Sequence, residues 1–135
     1  MTPLYEDNHI IIIDKAVGEI VQGDKTGDEP LSETVKRYLK EKHNKPGNVF
    51  LGLDRPVSGV VVFAKTSKAL TRLNEMFRNG QVRKTYWALT SNMPDKPSGR
   101  IVSYITTVER TNKSTAWPTP RPGAKEAALT YRHIG

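Results

Sequence analysis

The apolar runs of this chain are short and rich in β-branched residues, the two clearest being Ile10 to Ile13 and Val60 to Ala64. Runs of four and five residues are strand-sized, far below the ~20 apolar residues that a membrane-spanning helix needs. Glu6-Asp7-Asn8 forms a turn-like opening, and His9 to Ile13 then predicts a buried strand. Glu19 to Gln22, Val49 to Leu51, Gly59 to Ala64, Lys84 to Leu89, Ile101 to Val108 and Ala127 to His133 are further strand candidates. Gly23 to Pro30 is polar enough to be a loop.

Two helices interrupt the strands. Ser32 with Glu33 opens the first, which runs to about Glu41 with Val35, Tyr38 and Leu39 on one face, and Lys45-Pro46-Gly47 stops it. Ser67 is placed to cap the second, where Ala69, Leu70, Leu73, Met76 and Phe77 form a core-facing stripe and Asn79-Gly80 closes the end. Residues 111–125 hold three of the nine prolines and no helical period, so a long loop is expected there. Strands outnumber helices and are joined mostly by turns. The expected class is α+β, with a mixed, mostly antiparallel sheet flanked by two main helices. One domain is expected over residues 1–135. The chain stops directly after strand-like sequence, so that domain is expected to be partial.

Charge narrows the partners. The formal net charge is +7, with 21 Lys+Arg against 14 Asp+Glu. Residues 1–64 carry 8 basic and 10 acidic groups, whereas residues 65–135 carry 13 and 4. Such asymmetry suits a polyanion, because Lys and Arg gathered on one side dominate phosphate binding. A solvated basic face kept for solubility is the other reading. Cysteine is absent, which excludes disulfides, thiolate nucleophiles and cysteine-built metal sites. No basic-then-apolar leader opens the chain, so a cytoplasmic protein is expected.

Two groups of residues could carry chemistry. Asp54 lies between two apolar strands, with Arg55 beside it and Pro56 and Gly59 restricting the backbone. A carboxylate half-buried there would be kept ionised by the guanidinium. A structural Asp capping its own turn fits the same residues, and by themselves they favour it. Arg83, Lys84, Tyr86 and Trp87 place cations beside aromatics, which serves for holding a phosphate while stacking on a base. An amphipathic edge strand with Trp87 in the core serves equally. His9, His43 and His133 have no metal-ligand spacing. Phosphate-binding Gly loops, dinucleotide motifs and Gly-x-Ser-x-Gly elbows are missing.

Four segments in order resemble the catalytic domain of RluA-type pseudouridine synthases. They are Leu4 to Lys15, Leu53-Asp54-Arg55-Pro56-Val57-Ser58-Gly59 with the strand to Thr66 after it, Arg83 to Leu89, and Ala124 to Arg132. The resemblance covers nearly the whole chain and implies an isomerase that converts specific uridines of structured RNA (ribosomal or transfer RNA) to pseudouridine. It makes Asp54 the catalytic aspartate and Tyr86 the aromatic that packs against the base and helps remove a proton. Arg55, Arg83 and Lys84 are then expected to bind the RNA. Neither metal nor organic cofactor is implied, and a monomer without a membrane partner is expected.

Two places depart from the family's pattern. Leu51-Gly52-Leu53-Asp54 stands where His-Arg-Leu-Asp is usual; either the His and Arg are substituted or, the reading we favour, a few residues are absent between Gly52 and Leu53. The arginine expected to wedge into the RNA therefore has no counterpart. The later Thr-Gly-Arg and His-Gln-Ile-Arg motif, whose basic group pairs with the aspartate, does not occur before Gly135. These departures support a rival reading, a catalytically inactive RNA-binding module with the same fold. A glycoside hydrolase using Asp54 is weaker, because no second carboxylate sits in a comparable motif.

Overall fold

A computed structural model describes residues 1–21, 27–43, 48–49, 57–111 and 113–135. The chain divides into two compact units, Met1–Thr85 and Tyr86–Gly135. Among the described residues both helices fall in the first and all strand pairing is antiparallel, so the expected α+β class holds.

In the first unit β1 (Tyr5–Glu6), β2 (Ile10–Lys15), β3 (Asn48–Val49) and β4 (Gly59–Ala64) form a sheet in the order β1-β2-β4-β3. The turn between β1 and β2 is made by Asp7, whose Oδ1 accepts from the amides of His9 at 2.7 Å and Ile10 at 2.8 Å. This is the Asx-type turn for which a short acidic side chain is suited. Alternation then sorts β2: Ile11, Ile13 and Lys15 point inward, while Ile10 and Ile12 are half-buried. The strand is thus not buried on both faces as the isoleucine run implied. Across the ladder Ile11 faces Phe63 and Ile13 faces Val61. Helix α1 (Leu31–His43) lays Leu31, Val35 and Leu39 against these four, with Tyr38 packed at the margin.

Several boundaries differ from expectation. Helix α1 begins at Leu31, one residue before Ser32, because main-chain groups satisfy its first amides. Leu31 N–H donates to Ile20 O at 2.6 Å and Ser32 N–H to Val21 O at 3.0 Å. Of the expected strand Glu19 to Gln22, Gln22 lies outside the described residues and Glu19 to Val21 are not a strand; Ile20 and Val21 are buried and their carbonyls accept from the helix start instead. Helix α2 (Ser67–Arg78) is capped by Thr66, not Ser67: Thr66 Oγ1 accepts from Ala69 N–H at 3.0 Å. Its other end closes as expected, with Gly80 at φ +68° and Gln81 N–H donating to Met76 O at 2.9 Å. That is a Schellman closure, which needs a left-handed residue. Only Ala69 of the expected stripe is fully buried; Met76 is 40% exposed. Of the expected strand Val49 to Leu51, Val49 belongs to β3 and the other two lie outside the described residues, as do Lys45-Pro46-Gly47.

In the second unit β5 (Ser98–Val108), β6 (Lys113–Trp117) and β7 (Lys125–Arg132) form a sheet in the order β6-β5-β7. Strand β6 lies where a long loop was expected. Its five residues pair with β5 from Tyr104↔Trp117 to Val108↔Lys113. Pro118, Pro120 and Pro122, which argued against structure, all come after Trp117 and so end the strand without interrupting it. Lys84 to Leu89, expected as a strand, has no regular structure. Aromatic propensity cannot substitute for a partner, and no strand pairs with it among the described residues.

Candidate active site

The segment expected to carry the chemistry is entered from β3 and left through β4. Asp54, Arg55 and Pro56 lie outside the described residues. Immediately after them Val57 and Ser58 are exposed, and Gly59 opens β4 with φ +142°, a backbone conformation that favours glycine. The glycine of the Leu-Asp-Arg-x-x-Ser-Gly segment is therefore required where the chain swings into the sheet.

Lys15 fixes this exit. It pairs with Gly59 at the end of the β2–β4 ladder and is only 1% exposed. Its Nζ donates to the carbonyl oxygens of Val57 and, at 3.2 Å, of Ala16. A buried ammonium is tolerated only with such partners. Sequence reasoning did not single out Lys15, although its parity with Ile11 and Ile13 marks it as inward-facing.

A second polar cluster pins β1 to α1 and to the end of β4. Glu6 Oε1 lies 2.7 Å from His43 Nε2 and 3.1 Å from Lys65 Nζ. Glu6 Oε2 accepts from Lys42 Nζ at 3.1 Å and from Tyr38 Oη at 3.3 Å. Burial would raise the Glu6 pKa, but hydrogen bonds from Lys42, Lys65 and His43 outweigh it and bring it down to about 2. Among the described residues no group of three or more His, Asp or Glu is placed to hold a metal ion.

The remaining expected site residues are on the surface. Arg83 and Lys84 come after α2 and are exposed, with Lys84 Nζ 5.9 Å from the centre of the Phe77 ring. Tyr86 opens the second unit at 61% exposure, and Trp87 beside it is 87% exposed, outside any core. Because this stretch is not a strand, the expected alternation of Lys84 and Tyr86 against Thr85 and Trp87 does not apply.

A family model described as RNA pseudouridylate synthase matches residues 9–135. The chain belongs to that family. It is 37% identical over 97 residues to "Ribosomal large subunit pseudouridine synthase C" of Buchnera aphidicola, covering 68% of this chain and 29% of that protein. It is 25% identical over 131 residues to "tRNA pseudouridine synthase C" of Vibrio parahaemolyticus, covering 97% and 52%. Among solved structures, "Human RNA Pseudouridylate Synthase Domain Containing 4" superposes with a TM-score of 0.76 at 25% identity, over 96% of this chain and 52% of that one. The chain thus spans about half the length, or less, of these members of the RNA pseudouridylate synthase family.

Proposed function

We propose that this chain is the part of an RNA pseudouridine synthase that presents the catalytic aspartate, and that it isomerises specific uridines of structured ribosomal or transfer RNA. The observation that carries the reading is the match of residues 9–135 to the family, with the Leu-Asp-Arg-x-x-Ser-Gly segment inside it. The names of the relatives divide between ribosomal and transfer RNA, and the reading keeps both. A cytoplasmic setting belongs to it as well, resting on the cysteine-free composition.

In this reading the Asp54 carboxylate acts at the ribose of the target uridine, as nucleophile or base, and Arg55 keeps it ionised. The bond from C1′ to N1 breaks, the freed uracil turns, and a bond from C1′ to C5 forms. The C5 proton leaves, with Tyr86 helping to remove it, and N1 gains a proton. The Tyr86 ring serves as a wall that keeps the base in place while it turns. The target must first be unstacked from the RNA. Arg83 and Lys84 hold the flanking phosphates.

Pseudouridine content of total cellular RNA, measured after incubation with the parent chain and with Asp54→Asn, tests the proposal. The parent should form pseudouridine, and Asp54→Asn should form none while binding RNA with nearly the same salt dependence. If the parent forms none but binds RNA, the inactive binding module replaces the enzyme.

A further inference from the structure

The cations of the two units are used differently. In Met1–Thr85, Lys36, Arg37, Lys42 and Lys65 each hold a carboxylate. Tyr86–Gly135 carries seven Lys and Arg against three Asp and Glu, and among the described residues none of those seven forms an ion pair. All seven are exposed. Charges left unneutralised by their own chain are available to an external anion.

The register of the sheet shows where they gather. Residues paired across an antiparallel ladder share a face, and alternate residues switch faces. Ile101, Ile105, Ala127 and Leu129 therefore occupy one side of β5–β7. The opposite side carries Arg100 and Arg132 as diagonal neighbours at one end, and Lys113 opposite Val108 at the other. From Arg100 to Val108 is eight residues along β5, or roughly 27 Å at ~3.4 Å per residue. Glu126, opposite Tyr104, is the one carboxylate that the ladder places on this side.

Midway along the same side is a preordered arginine. Trp117 lies opposite Tyr104, and its Nε1 donates to Thr106 Oγ1 at 2.9 Å, which fixes the indole. The Arg121 guanidinium lies 3.3 Å from the centre of that ring. Stacking holds the guanidinium by its face, and its N–H donors, which point outward in its plane, remain available for a phosphate. No other partner holds the Arg121 side chain among the described residues.

We infer that the polar side of β5–β6–β7 is a phosphate-binding track for a single RNA strand, contacted by Arg100, Lys113, Arg121 and Arg132, with Trp117 as the positioning residue for Arg121. This rests on the reading of the chain as an RNA enzyme and adds to it a binding surface away from Arg83 and Lys84 in sequence. The spread of cations along most of the length of β5 fits a linear polyanion better than a single small anion.

The test uses the 135-residue chain and a labelled single-stranded RNA of about 20 uridine-rich nucleotides, titrated at several salt concentrations. Arg100→Ala/Arg132→Ala should weaken binding about tenfold and reduce the salt slope by roughly 1.4, because each phosphate neutralised on a single strand contributes about 0.7. Arg100→Lys/Arg132→Lys should restore the slope, which a folding defect would not. Arg121→Ala and Trp117→Leu should each weaken binding, and together no more than the stronger alone, because they act as one unit. Lys125→Ala, on the opposite face, should change little. Arginine variants that bind like the parent with an unchanged slope would overturn the inference. So would tighter binding of poly-glutamate or phosphatidylserine vesicles than of RNA through the same residues. Pseudouridine formation by the parent is scored in parallel. Its absence alongside residue-dependent RNA binding sinks the enzymatic reading alone, and its presence with unaltered variants sinks the track alone.

Discussion

The ammonium of Lys15 donates to the carbonyl of Val57, 42 positions further along the chain, and so ties the end of β2 to the residues just after Asp54-Arg55-Pro56. Two opposing terms decide the effect of its removal. Deleting a buried charge recovers its desolvation cost, but it takes the donor from the part-buried hydrogen bonds to the carbonyls of Val57 and Ala16. Lys15→Met keeps the apolar stem and removes the charged donor. We expect a loss of about 1.5–3 kcal/mol, the usual worth of a hydrogen bond from a charged group, read by denaturant unfolding. A Met variant as stable as the parent would show that those carbonyls find other donors.

Glu6 gives the first unit a defined acid response. Its folded pKa of about 2 lies below the ordinary 4.5, so the unfolded chain takes up the proton first as pH falls. The contribution of Glu6 is therefore fully present above its unfolded pKa and is lost as pH drops from about 4.5 toward about 2. Glu6→Gln should remove most of this dependence and, with Lys42, Lys65 and His43 deprived of their anion, cost roughly 1.5–3 kcal/mol at neutral pH. Thermal unfolding between about pH 2 and pH 7 checks both, and identical pH profiles for parent and variant would refute the assignment.

The cap of α2 separates two neighbouring hydroxyls. Thr66 is extended at φ −136°, ψ 154° and accepts from Ala69 N–H, whereas Ser67 is already helical and exposed. Thr66→Ala should therefore cost about 1 kcal/mol, as the loss of an N-cap does, and Ser67→Ala only a few tenths at most. Equal effects of the two substitutions, measured by thermal unfolding, would show that the cap is shared.

Gly59 to Ala64 was legible in the sequence with correct bounds because its apolar run, its leading glycine and the polar Lys65-Thr66 all mark the same element. The Asn79-Gly80 stop was legible for a similar reason, since only a left-handed residue closes a helix that way. Trp117 and Trp87 show where the reading fails. One falls in a strand and one does not, although both come after β-prone residues. The difference is a partner: β5 supplies Tyr104 opposite Trp117, and nothing local announces a ladder formed across 13 residues. Pairing is non-local, so propensity alone cannot assign it. The site was legible only in part. Four ordered motifs pointed to Asp54 and Tyr86, whereas Lys15 was not singled out because burial depends on what packs over it.

Tyr86 offers the sharpest test of the chemistry proposed for this chain. A phenol that only stacks on uracil and one that also helps take the C5 proton differ by a single oxygen. Tyr86→Phe keeps the ring and removes the hydroxyl. If the hydroxyl assists proton removal, turnover should fall by roughly a hundredfold, the lower range for losing such a group, while RNA affinity changes little. If Tyr86 only stacks, Phe should sustain turnover and Tyr86→Ala should weaken binding and turnover together. The phenol is 61% exposed, so either substitution should leave thermal unfolding nearly unchanged and the rates can be compared directly. Single-turnover kinetics on a uridine-containing RNA separate binding from chemistry. An equal loss in both for Tyr86→Phe would remove Tyr86 from the proton step.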